Sequence, residues 1–142
     1  EGADPVRLTG MGKAGSPMWS PDGRSVVFDS RVSGLAAIYV VGADGGKERQ
    51  ITTGQDDVAP SWSVDGEWVY FSSSARGKDE RMQISRVQAR GGRDVGLKQL
   101  TTKQGGYLPV ESADRKWIYY MARRPSGIWK VPAEGGGRGA KS

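Results

Sequence analysis

Three apolar runs of similar make-up punctuate the chain: "SVVFDS" (25–30), "EWVYFSS" (67–73) and "KWIYYMA" (116–122). Each is rich in β-branched and aromatic residues and alternates only weakly, so each predicts a strand with both faces buried. An Ile-centred segment follows each run, namely "IYVVGADGG" (38–46), "ISRVQARGG" (84–92) and "IWKVPAEGG" (128–136). These predict a second strand closed by a hairpin, with glycine supplying the positive φ of the turn. "ERQIT" (48–52) and "LKQLT" (97–101) predict a third strand, whose charge suits an exposed edge. Ahead of each apolar run stands a proline-led segment: "SPMWSPDGR" (16–24), "APSWSVDGE" (59–67) and "LPVESADRK" (108–116). Its proline cannot donate to a ladder and is expected at the first residue of a short opening strand, with Asp22-Gly23 and Asp65-Gly66 in the hairpins that follow. No segment carries a helical period.

The anchors recur in one order, so the chain reads as a repeat. Pro17 and Pro60 are 43 residues apart, and Pro60 and Pro109 are 49 apart. The longer unit carries extra residues at 74–82 and 93–99, positions that read as loops. Four short antiparallel strands in 43–49 residues make one propeller blade, and the fold class predicted is an all-β propeller segment of about three blades. The boundaries expected are 10–53, 54–102 and 103–136, with 137–142 a tail. "DPVRLT" (4–9) resembles the "QITT" and "QLTT" segments. Residues 1–9 are therefore expected to supply the outer strand of a preceding or ring-closing blade, and the third unit to lack its own.

The repeat resembles the TolB-type β-propeller family, whose blades carry Pro-x-Trp-Ser-Pro-Asp-Gly before an apolar strand. Pro17, Trp19, Ser20, Pro21, Asp22 and Gly23 match in full, and Val64 replaces one proline in the second copy. The third copy keeps Pro109, Ser112 and Asp114 but has Glu111 at the Trp position and Arg115 at the Gly position. The resemblance implies a fold rather than a reaction. Similar propellers occur in periplasmic proteins that bind partner proteins, as sensor modules of transcription regulators, and as gating domains of serine peptidases. It therefore implies a non-catalytic scaffold that needs no cofactor, in a periplasmic or extracytoplasmic setting, with the cytoplasm left open. Three blades are too few to close, since propellers have about four to eight. A six-bladed homo-oligomeric ring of two chains is expected, each N-terminal strand completing the other's last blade; a fragment of a longer propeller is the alternative.

Composition sharpens this. Cys, His and Asn are absent, which removes disulfides, thiolate nucleophiles, imidazole metal ligands, Ser-His-Asp catalysis and N-glycosylation. No apolar stretch approaches the ~18 residues of a membrane span. Net charge is +5, and residues 75–98 hold five Arg and two Lys against three acids. These cations read as decoration of loops and edges, not as a nucleic-acid surface. "GMGKAG" (10–15) matches G-x-G-x-x-G, but a Ser-Pro and a strand follow instead of a helix, so it reads as a loop. Trp19 and Trp62 read as blade-packing residues.

Binding in propellers uses the channel mouth, lined by loops that lead into the innermost strands. Here those loops are 9–16, 53–59 and 102–108, and their distinctive residues are Lys13, Asp56, Asp57 and Tyr107. Two acids, a lysine and an aromatic suit a peptide or a small ligand. Glu111 joins them as a candidate, because a carboxylate in a packing position must be paired, here expected with an Arg or Lys in the channel or an interblade cleft.

Overall fold

The computed structural model describes residues 2–74 and 82–134. The strands are β1 (Ala14–Trp19), β2 (Ser25–Ser30), β3 (Ala37–Gly42), β4 (Gly45–Gln50), β5 (Asp57–Trp62), β6 (Trp68–Ser73), β7 (Gln83–Gln88), β8 (Lys98–Gln99), β9 (Tyr107–Glu111), β10 (Trp117–Arg123) and β11 (Ser126–Pro132). They form three antiparallel sheets in chain order: β1-β2-β3-β4, β5-β6-β7-β8 and β9-β10-β11. There is no helix among the described residues. The predicted runs fall on the second strands, which pair with the third without a break: Ser25↔Gly42 to Ser30↔Ala37, Trp68↔Gln88 to Ser73↔Gln83, and Trp117↔Pro132 to Arg123↔Ser126.

One turn is built three times from the same hydrogen bonds. The Ser20 hydroxyl donates to Asp22 Oδ1 (2.6 Å) and accepts the Ser25 N–H (3.0 Å), while Asp22 Oδ1 also takes the Arg24 N–H (3.0 Å). Ser63-Asp65 and Ser112-Asp114 repeat the pattern at 2.6 and 2.5 Å. The fourth turn residue lies in the left-handed region as Gly23 (φ 71°), Gly66 (φ 72°) and Arg115 (φ 63°). The third copy thus keeps its turn despite losing glycine, and the Arg115 guanidinium pairs with the Asp65 carboxylate of the preceding turn.

The prolines are not the first residues of their strands. Pro17 and Pro60 lie inside β1 and β5, at register breaks between Gly15 and Met18 and between Val58 and Ser61. The residue before each proline is left-handed: Ser16 (φ 51°), Ala59 (φ 52°) and Leu108 (φ 55°). A bulge releases the ladder donor that proline lacks, so the strand runs on past it.

Sheets pack face to face. Val27, Ile38, Val40 and Ile51 of the first sheet meet Val69, Phe71 and Val87 of the second, with Trp62 wedged beside them. Tyr70, Ile84 and Leu100 of the second meet Ile118 and Tyr120 of the third. Val26, Phe28 and Val41 form a third cluster on the far face of the first sheet, covered by Leu8 and Met11. β6 is therefore buried on both faces, whereas β10 alternates buried and exposed.

The turns yield two predictions. Ser63→Ala deprives the Trp68 N–H of its acceptor and is expected to lower stability by about 1–3 kcal/mol in urea titration. The Ser hydroxyls, followed by backbone N–H groups, hold Asp22 and Asp114 below the ordinary carboxylate range; the Ser63 hydroxyl does the same for Asp65 against some burial. A lowered folded pKa gives stability that is full above the unfolded carboxylate pKa and is lost as pH falls through the folded value. The triple variant D22N/D65N/D114N should therefore lose less of its urea midpoint than wild type between about pH 5 and pH 2.

Candidate functional site

The entries to the innermost strands lie at one end of the sheets. Lys13 (φ 56°) and Asp56 (φ 61°) each stand three residues before the left-handed residue of the bulge, so the same kink presents both. Arg31, the residue after β2, joins them: its N–H donates to the Lys13 carbonyl (3.3 Å) and its guanidinium pairs with the Asp56 carboxylate. The Ser74 hydroxyl adds a longer bond to Asp56 Oδ2 (3.4 Å). The Arg31 and Asp56 side chains are 51% and 28% exposed, so this pair is open to exchange with a ligand and contributes at most about 1 kcal/mol. Asp57 is different. It is fully buried, its N–H donates to the Ala36 carbonyl (2.8 Å), and its Oδ2 accepts the Gln55 N–H (3.4 Å). It holds the loop between sheets and does not face the mouth.

Tyr107 opens β9 and has a separate neighbour, the Arg123 guanidinium, 4.9 Å from the ring centre. They line an open cavity of about 690 Å³ with Gln104, Gly106 and Arg124. The Tyr120 hydroxyl donates to the Gln104 carbonyl (2.7 Å), and burial raises the Tyr120 pKa. Glycine is required here for close approach: a Cβ on Gly106 would sit 2.1 Å from the Met121 carbonyl oxygen. Arg31 and Arg123 escaped sequence reasoning. They hold the same place in the repeat, Arg31 just after β2 and Arg123 as the last residue of β10, so aligning that position across the repeats would have found them.

Glu111 lies at the opposite end of β9, about 13 Å of strand away from Tyr107. Its carboxylate accepts the Val64 N–H (2.6 Å) and the Tyr70 hydroxyl (2.9 Å). Among the described residues its hydrogen-bond partners are thus a phenol and a backbone amide of the preceding sheet, where an Arg or Lys was expected. Burial first, then the bond to Glu111, pushes the Tyr70 pKa well above the usual tyrosine range. At the first junction the equivalent residue is Trp62, whose indole N–H donates to the Met18 carbonyl (3.0 Å). Val27 and Val40 of that junction are replaced by Tyr70 and Arg86 at the second. Trp19, in contrast, is 61% exposed.

The basic run contributes inter-sheet contacts: Arg86 and Lys98 donate to the Ala133 and Glu134 carbonyls, as Arg49 does to Ala89 (2.6 Å) and Gly91 (2.9 Å). Residues 75–81 of that run, and 135–142, lie outside the described residues. Among the described residues no three acids converge on a point suited to a metal ion, and no helix is long and apolar enough to cross a membrane.

Three consecutive four- or three-stranded antiparallel sheets stacked on their faces, with a shared inner-strand bulge and turn, define a partial β-propeller. The TolB beta propeller domain matches residues 7–135, so the chain belongs to that family. A protein assigned as TolB from Agrobacterium tumefaciens superposes with a TM-score of 0.74 at 26% identity, over 87% of this chain and 44% of that one. TolB from Acinetobacter baumannii shares the fold, with a TM-score of 0.65 at 24% identity over 88% of this chain and 34% of that one. Uncharacterized protein Atu1656 of Agrobacterium fabrum is 39% identical over 74 residues, 51% of this chain and 24% of that protein. Uncharacterized peptidase YuxL of Bacillus subtilis is 39% identical over 67 residues, 46% of this chain and 10% of that protein. The chain spans less than half the length of each.

Glu111→Ala leaves the Val64 N–H and the Tyr70 hydroxyl without their acceptor and is expected to cost about 1–3 kcal/mol. A double-mutant cycle with Tyr70→Phe should give a coupling of about 0.5–3 kcal/mol; a coupling of zero would remove Glu111 from the junction.

Proposed function

We propose that this chain is a non-catalytic propeller scaffold that binds a protein or peptide partner, or a small ligand, at its channel mouth. Its units, 10–53, 54–102 and 103–136, make half of a six-bladed ring completed by a second copy or by further blades of a longer propeller. The observation that carries the binding reading is the rim itself. Lys13, Arg31 and Asp56 at one entry, and Tyr107 and Arg123 on the strand ends at another, put charge and an aromatic face beside the bulges of the inner strands. Such rigidly held loops lose little entropy on binding. A periplasmic or extracytoplasmic location accompanies the TolB resemblance and is part of the same proposal.

One observation favours a second reading, the gating propeller of a serine peptidase. The match to peptidase YuxL is as high in identity as any reported above, and it covers only a small part of that protein. A hydrolase domain encoded beside this propeller in the parent gene would establish it.

Peptides selected on the intact chain by phage display test the mouth. The variant K13A/D56A/Y107A is expected to bind them at least ~10-fold more weakly, a loss of about 1.4 kcal/mol. Asp57 is left alone because its carboxylate is internal. Equal binding by the triple variant would move the site elsewhere. Light scattering tests the ring: twice the chain mass is expected, and a monomer at every concentration would sink the two-chain assembly.

A further inference from the structure

Neighbouring serine-aspartate turns meet at the end of the inner strands away from the channel mouth, and the two junctions between them are closed differently. At the second, Arg115 is the fourth residue of its turn. It reaches back to the turn before it and pairs with Asp65 Oδ2. Asp65 Oδ1 is already occupied by the Ser63 hydroxyl (2.6 Å) and the Glu67 N–H (3.0 Å). At the first junction the fourth turn residue is Gly66, and the aspartate of the turn before it is Asp22. Gly66 (φ 72°) and Arg115 (φ 63°) share one backbone conformation, so a side chain at either position leaves its turn in the same direction. A Cβ on Gly66 would sit 3.7 Å from Pro21 Cδ, inside the first turn and next to Asp22.

The first junction thus keeps the acceptor of the ion pair and lacks its donor. Asp22 Oδ1 takes the Ser20 hydroxyl (2.6 Å) and the Arg24 N–H (3.0 Å), and the carboxylate makes no ion pair with a described residue. In place of a guanidinium the junction has a cleft of about 250 Å³, lined by Asp22, Gly66, Val40, Trp62 and Arg90. Trp62 stands where the second junction has Glu111, and a guanidinium over an indole is a contact the chain already makes, with Arg86 4.2 Å from the Trp68 ring centre. Arg49 also lines the cleft, but its guanidinium donates to the Ala89 and Gly91 carbonyls. Lys98 holds the equivalent place at the junction that Arg115 closes, so a cation there does not exclude the pair. Arg90 comes within ion-pair distance of no described carboxylate, which leaves Asp22 open.

We propose that this cleft binds the guanidinium of an arginine side chain presented by a partner protein. Asp22 Oδ2 accepts its N–H groups as Asp65 Oδ2 accepts those of Arg115, and the planar group lies against the Trp62 indole. A guanidinium is preferred to an ammonium because its forked donors and flat face engage carboxylate and indole together. The site lies at the opposite end of the inner strands from Lys13, Asp56 and Tyr107 and does not depend on a ligand there.

The probe is N-acetyl-arginine amide, a guanidinium with no other charge. It is titrated into the intact chain at neutral pH and followed by the NMR signal of the Trp62 indole N–H, identified by its loss in W62F. A saturable shift is expected. D22N keeps one oxygen as acceptor for the turn, turns the other into a donor, and should bind the probe at least ~10-fold more weakly. G66R supplies the missing side chain from within and should weaken the probe at least ~10-fold as well. G66A makes the same backbone demand but leaves the cleft open, and should stay within about 2-fold of wild type. N-acetyl-lysine amide should bind about a tenth as tightly. No saturable shift, wild-type binding by D22N or G66R, G66A as weak as G66R, or equal binding of the two probes overturns the proposal. Urea titrations show that each variant is folded; without a folded G66R, D22N and the lysine probe still decide.

Discussion

Each sheet is apolar on both faces, and everything else in the molecule answers to that constraint. A single four-stranded sheet of this kind has no side to show to water, so it is stable only between neighbours. The second sheet satisfies the condition: Val69, Phe71 and Val87 meet the first sheet, while Tyr70 and Ile84 meet the third. The outer sheets satisfy it on one side. The first shelters its far face under Leu8 and Met11, and the third leaves Tyr119 and Met121 exposed on β10. The polar devices sit around this layering. The serine-aspartate turns close one end of each sheet, and Arg49 and Lys98 clamp each outer strand to the sheet ahead.

The two junctions solve the same packing problem with different chemistry. Trp62 fills the first beside Val27 and Val40 and spends its single N–H on a backbone carbonyl. The second carries Glu111, Tyr70 and Arg86 at those positions. A carboxylate there is tolerable because it accepts two strong donors, and the phenol and guanidinium pack their flat faces where valine methyls would otherwise lie.

Much of this was legible in the sequence, for reasons specific to each element. The second strands announce themselves because burial on both faces leaves no polar positions in "VVF", "VYF" or "WIYY". The Asp-Gly turns are equally clear, since glycine at the left-handed position and Ser-x-Asp spacing encode the hydrogen bonds directly. The proline misled at the level of one residue: its missing N–H fits a strand start or a bulge, and only the register separates them. Asp56 and Asp57 look alike as neighbours in a loop, yet one pairs with Arg31 at the surface and the other is enclosed, a difference decided by the adjacent sheet. The partner of Glu111 was unreadable for a similar reason, because Tyr70 lies 41 residues away and is aligned by the stacking rather than by any local pattern.

The simple meander order of the sheets reaches into how the chain acquires its shape. Every strand pairs with its neighbour in sequence, and each junction joins consecutive units, so nearly all loops that must close are short. No described strand waits for a distant part of the polypeptide before it can pair with its described neighbours. Structure can therefore spread from any one sheet to the next during synthesis, each completed sheet acting as the template on which the following one condenses.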